Sequence, residues 1–174
     1  FRADRFLKDN AFRPDTQIYF ANHHAAHALA ALFYTDWTQA LVYTSDGIGD
    51  NVSYSMRGLK DGALECFYGD DRWLTQTLKE TGLASAYGYA TVACGFRMLR
   101  HEGKLTGLAA YGEPKLAGEM AAQFRFNEKT GLIETDFRNW SAMREKFLAI
   151  CRGHDRETIA ASIQKVAEDF TTQS

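Results

Sequence analysis

The spacing of apolar residues changes along the chain, and each change marks an element. Residues 17–20 read as a short strand that leads into a helix opening at Asn22-His23-His24-Ala25-Ala26-His27. Ala28, Leu29, Ala31, Leu32 and Phe33 give that helix an apolar face, and Asp36-Trp37 stops it. Three strand-like runs follow: 39–44, apolar and central, 51–57, alternating, and 63–68. Glycine-bearing turns at 46–49 and 58–62 join them, which predicts an antiparallel β-meander.

Further on, 85–96 reads as a helix whose Ala86, Gly88, Ala90, Ala93 and Gly95 admit a close neighbour, either another backbone or a ligand. Residues 101–114 are turn-rich, and 124–127 with 132–135 form a small hairpin around Lys129-Thr130-Gly131. Two amphipathic helices finish the chain, one carrying Met143, Phe147 and Ile150, the other capped by Asp155 and carrying Ile159, Ile163, Val166 and Phe170. The last helical pattern runs on without a glycine cap and the sequence does not open on methionine, so the expectation is one partial domain over 1–174, cut from a larger protein.

Composition narrows the classes. With 45% hydrophobic and 13% aromatic residues in 174, the chain can bury one main core and is not of the disordered class. A net charge of -2, from 20 basic and 22 acidic residues, leaves no broad basic footprint for nonspecific nucleic-acid or membrane binding. No apolar stretch approaches the roughly 20 residues that span a bilayer, and the first residues lack a signal peptide's apolar core. Cys66, Cys94 and Cys151 are widely spaced without a CxxC pair, which argues against a disulfide framework and fits a reducing cytoplasm.

Three of the five histidines fall within five residues. On a helix His23 and His27 project from one face and can grip one metal ion, zinc, iron, nickel or copper, provided a carboxylate or other ligand joins them. The same spacing also serves a helix start or a surface. His24 lies about 100° around the helix, where it supports a ligand or faces substrate. Ser45-Asp46-Gly47-Ile48-Gly49-Asp50 can cradle a phosphate through its backbone N–H groups or be an ordinary hairpin turn. Asp46 and Asp50 would repel a bare phosphate unless Mg²⁺ bridges them to it, or they bind hydroxyls. Glu102-Gly103-Lys104-Leu105-Thr106-Gly107-Leu108-Ala109-Ala110-Tyr111-Gly112 is too rich in small residues for a simple amphipathic helix. It either sets Lys104 on a carbamoyl or phosphoryl oxygen or is a packed loop with a surface Glu–Lys pair.

Taken in order, HHAAHA, TSDGIGD, SAYGYATVACGF, EGKLTGLAAYG and ETIAASIQKVAEDF resemble the N-terminal part of the carbamoyltransferases of nodulation-factor and antibiotic biosynthesis, from about residue 18 onward. The resemblance implies an α/β fold, a ribonuclease H-like lobe of the acetate kinase, sugar kinase, Hsp70 and actin superfamily. It implies that a separate YrdC-like domain makes carbamoyl-adenylate from carbamoyl phosphate and ATP, and that the region sampled here passes the carbamoyl group to the hydroxyl of a small-molecule acceptor in secondary-metabolite or surface-glycan synthesis. By position, His23 and His27 match an iron-binding pair whose third ligand is an aspartate beyond Ser174. Tyr43, Thr44, Ser45, Asp46, Gly47 and Gly49 fall on the loop against the nucleotide phosphates, and Glu102 and Lys104 on the substrate. His24, Asp46 and Asp50 are candidate bases for the acceptor alcohol, and Lys104 a further catalytic candidate. Gly88 stands where the tRNA-modifying relatives carry a nucleotide-contacting aspartate. Alternatives are a tRNA threonylcarbamoyl-transfer or hydrogenase-maturation relative, and a nucleotide- or metal-binding domain without catalysis. Against the tRNA branch stands Asp46-Gly47-Ile48-Gly49-Asp50, where that branch has a Ser-Gly-Gly pattern.

Overall fold

Strand β1 (Gln39–Gly49) is the long ruler of the first half, and a computed structural model describes it together with residues 3–13, 15–50, 52–69, 82–129 and 132–173. It pairs antiparallel with β2 (Val52–Lys60), which pairs antiparallel with β3 (Ala63–Tyr68), giving the expected meander in the order β1-β2-β3. The β2–β3 turn is Asp61-Gly62 alone, both at positive φ (50° and 79°), because the ladder runs through Gly58, Leu59 and Lys60 to close at Lys60↔Ala63. The expected 58–62 turn is therefore shorter than its glycines suggest.

The expected turn at 46–49 is not a turn. Pairing steps from Ser45↔Tyr54 to Gly49↔Val52, so Asp46, Gly47 and Ile48 bulge out of β1, and the chain reverses only at Asp50 (φ 51°). Asn51, the expected first residue of the second strand, lies outside the described residues, as do Thr130 and Gly131 of the small hairpin formed by β4 (Arg125–Asn127) and β5 (Leu132–Glu134).

Helix α1 (Ala3–Asp9) precedes α2 (His23–Leu32), which ends before Asp36-Trp37. Residues 17–20 are not a strand: no described strand pairs with them, and Tyr19 and Phe20 are exposed. Helix α3 (Leu83–Ala93) stops short of Phe96 because Cys94 caps it and Gly95 turns left-handed at φ 74°. Helix α4 (Glu102–Ala109) replaces the turn-rich reading of 101–114, since packing against α7 (Arg156–Thr171) and α3 buries Leu105 completely and offsets the two helix glycines. Helices α5 (Ala117–Ala121) and α6 (Trp140–Cys151) complete the order, and Asp155 caps α7 as expected, accepting from the Thr158 amide at 2.7 Å.

Alternation along the strands separates two faces. Val42, Thr44, Ser55 and Arg57 face α2, whereas Tyr54 faces α3 and accepts the Leu83 amide at 3.0 Å. Beyond α3 lies the main core, built from Leu105, Met120, Met143, Phe147, Ile159 and Ile163. The expected apolar face of α2 is a correction: His24 and Ala28 are its buried residues, while Leu29 and Phe33 are exposed. Among the described residues no helix is long and apolar enough to cross a membrane.

The three cysteines are free, and burial pushes the thiols of Cys94 and Cys151 up to about 11 and about 12. Since the thiolate is the reactive form, iodoacetamide at about pH 8 should modify Cys66 and spare the other two. Mass spectrometry of the native protein checks this, and rapid labelling of Cys94 or Cys151 would contradict their burial.

Candidate metal centre

The start of α2 is fixed by two side chains that fill its open amides. Asn22 caps it locally, its Oδ1 accepting from the Ala25 amide at 2.7 Å. Asp50, from the turn after β1, accepts from the His23 amide at 2.7 Å and so ties the helix start to the sheet. Asp50 can hold that position because aspartate tolerates the left-handed conformation.

Gly49 makes the remaining space. A Cβ built there would lie 1.9 Å from His23 Cδ2 and 2.3 Å from Cγ, so the imidazole occupies the volume of the missing side chain. The ring then meets the bulge, with His23 Nε2 2.7 Å from Asp46 Oδ2 and 3.1 Å from His27 Nε2. The ligand atoms of His23, His27 and Asp46 all lie within 4.8 Å of one another.

Hydrogen bonding alone accounts poorly for this cluster. If His23 Nε2 carries the proton for the Asp46 carboxylate, it has no lone pair for His27; if it accepts from His27, it faces the carboxylate without a proton. Two imidazole nitrogens and a carboxylate oxygen converging in this way are a donor set that a divalent cation satisfies. For Asp46, burial pushes the carboxyl upward, but the Gly47 amide, the His23 hydrogen bond and the nearby imidazoles outweigh it and leave the pKa below the ordinary 3.8. The carboxylate is thus held in its ligand form.

His24 turns the other way. It is 1% exposed, with Nε2 2.7 Å from the Val52 carbonyl and Nδ1 2.7 Å from Thr44 Oγ1. The carbonyl can only accept, so Nε2 carries the proton; neutral Nδ1 accepts from Thr44, whose hydroxyl accepts in turn from Ser55 at 2.7 Å. Burial is the largest cause of its lowered pKa, partly opposed by the Val52 hydrogen bond.

The other candidates are dispersed. Thr44 is buried in the His24 chain, Ser45 is exposed, and Tyr43 stacks on Tyr54 across the opposite face at 6.0 Å between ring centroids. Gly47 donates its amide to Asp46 Oδ1 at 2.7 Å, and a Cβ added there would meet no atom within 4 Å. These residues do not form one loop surface. Glu102 and Lys104 sit on α4, across the sheet from α2, where Glu102 accepts from the Leu99 amide. A Cβ at Gly88 would lie 2.5 Å from Met98 Cε, so that position packs the Met98 side chain. Sequence reasoning assigned no role to Asn22 or Arg57; an asparagine directly before a helix and an arginine in phase with inward-facing Ser55 were the available signals.

Residues 5–173 match the model of a family described as carbamoyltransferase N-terminus. The chain is similar to an uncharacterized protein of Methanocaldococcus jannaschii, 28% identical over 176 residues that take in 93% of this chain and 28% of the relative. An uncharacterized protein of Synechocystis is 35% identical over 97 residues, 55% of this chain and 14% of the relative. The chain thus spans less than a third of the length of either.

Proposed function

Because this chain belongs to the carbamoyltransferase family, we propose that it forms part of a cytoplasmic O-carbamoyltransferase that passes a carbamoyl group from carbamoyl-adenylate to the hydroxyl of a small-molecule acceptor. The carrying observation is the convergence of His23, His27 and Asp46 where α2 meets β1. These three side chains would hold a metal, iron on the family resemblance, which would supply Lewis acidity toward phosphate or carbamoyl oxygens. The resemblance adds an aspartate from beyond Ser174 as a further ligand and a YrdC-like domain that makes the adenylate. The meander with α2 and α3 on its two faces supports the ribonuclease H-like reading of the lobe.

Each residue then has a task. Asp50 and Gly49 orient His23, the first through its backbone amide and the second by leaving room for the ring. Asp46 stays ionised beside the imidazoles. His24 is spent on structure, with both nitrogens bonded inside the fold, and the depressed pKa of Asp46 makes it a weak base. Asp50 is exposed and binds the His23 amide through one oxygen, which favours it among the three candidates as the base for the acceptor's proton. The acceptor oxygen bonds to the carbamoyl carbon, the carbon–oxygen bond to phosphate breaks with its electron pair leaving on AMP, and the hydroxyl proton passes to Asp50.

His27→Ala in the full-length protein should remove bound iron and carbamoyl transfer from carbamoyl phosphate plus ATP together. Metal analysis and a transfer assay read the two. Wild-type levels of both would sink the metal role, and an iron-loaded wild type that carbamoylates no acceptor would favour a binding domain without catalysis.

A further inference from the structure

Arg57 is an expensive residue for a sheet to bury. Its side chain lies on the α2 face of β2, opposite Val42 and in phase with Ser55, and the residue is 7% exposed. Among the described residues its hydrogen-bond partner is the neutral Asn22 Oδ1, 3.1 Å from Nη2, and its buried Nε has none. Burying a guanidinium against a neutral acceptor, near the positive end of a helix, costs stability on both counts. The orphaned buried Nε donor adds a further desolvation penalty. A well-packed apolar side chain would serve the fold as well or better.

What the arginine gains is a hold on one atom. Asn22 Oδ1 accepts from the Ala25 amide and from Arg57 together, so the oxygen that caps α2 is pinned from the sheet as well as from the helix. The next residue is His23, whose ring must thread between Gly49 and Asp46. Asp50 holds the His23 amide from the turn, and Arg57 holds the preceding residue from mid-strand. The pair fixes both the position and the rotation of the first turn of α2.

We propose that Arg57 is a positioning residue for the metal centre, latching Asn22 so that His23 and His27 reach Asp46. The proposal rests on the metal reading above. It differs from a purely structural role because loss of the latch should weaken metal binding without weakening the fold.

The test uses metal-stripped full-length protein titrated with Co²⁺, read by its visible absorption, with hydrogen exchange at the Ala25 and Ala26 amides measured in the absence of metal. Arg57→Met removes the charge at similar volume. Asn22→Ser keeps a good cap but is too short to reach Arg57. Both should bind Co²⁺ about tenfold more weakly and exchange faster in the first turn of α2, with the thermal midpoint of Arg57→Met unchanged or raised. Wild-type affinity in Arg57→Met overturns the latch, as does wild-type exchange; if that variant does not fold, the same results in Asn22→Ser do so. His27→Ala separates the two failures: if it binds Co²⁺ as the wild type does, or the wild type binds none, the metal reading falls and the latch with it. If His27→Ala loses Co²⁺ while both latch variants keep it, the latch alone falls.

Discussion

Gly49→Ala should lower metal affinity by at least about a hundredfold, which is about 2.7 kcal/mol. The added methyl would sit 1.9 Å from His23 Cδ2, well inside contact distance, and the backbone beneath it is held by the Gly49↔Val52 pair and the Asp50 tie to α2. The ring must therefore leave, and with it the central member of the cluster, the one that contacts both Asp46 and His27. Relief through backbone movement instead would cost about 1–3 kcal/mol of stability, as overpacking generally does. Gly47→Ala is the matched control: open space surrounds that position, so the variant should bind Co²⁺ like the wild type. Equal affinities for the two variants would show that the glycine does not make room for the histidine.

His24→Ala should be the most damaging change to stability, about 3 kcal/mol. It empties a fully buried site and strands the Val52 carbonyl and the Thr44 hydroxyl, each bonded to the ring at 2.7 Å. The same residue sets how the fold responds to acid. Burial holds His24 neutral below its ordinary 6.5, so as pH falls the unfolded chain takes up the proton first. Its contribution is complete above 6.5 and drains away as pH drops from there toward the lower folded value. Asp46 acts with the same sign at lower pH: its carboxyl lies below 3.8, so its contribution is present above that value and is lost as pH falls through the folded one. Chemical denaturation of the metal-free protein between about pH 7.5 and 5.5 should show stability falling in the wild type and a flatter profile in His24→Gln. A wild type that is flat across this range would refute the neutral buried imidazole.

Local rules carried part of this fold and failed at identifiable points. The meander, the small hairpin and the Asp155 cap follow from strand alternation, turn residues and a capping side chain, all of which act within a few residues. The stretch 101–114 misled because two glycines weaken an isolated helix, whereas the buried Leu105 against α7 stabilises α4 from outside its own sequence. Asp46-Gly47-Ile48-Gly49 misled in the opposite sense. Its composition signals a turn, yet β1 runs on through Gly49 to the reversal at Asp50, which turns the excess residues into a bulge.

The sequence by itself determined that His23 and His27 share a helix face, that three strands form a meander and that the chain belongs with the carbamoyltransferases, because those properties rest on spacing and motif order. Only the tertiary structure decided that Asp46 joins the histidines, that His24 turns inward and that Gly49 yields its place to an imidazole. These depend on how a bulge, a turn and a helix start are docked at ångström precision, and that docking is set by hydrogen bonds between residues 20 to 35 positions apart, which no local pattern encodes.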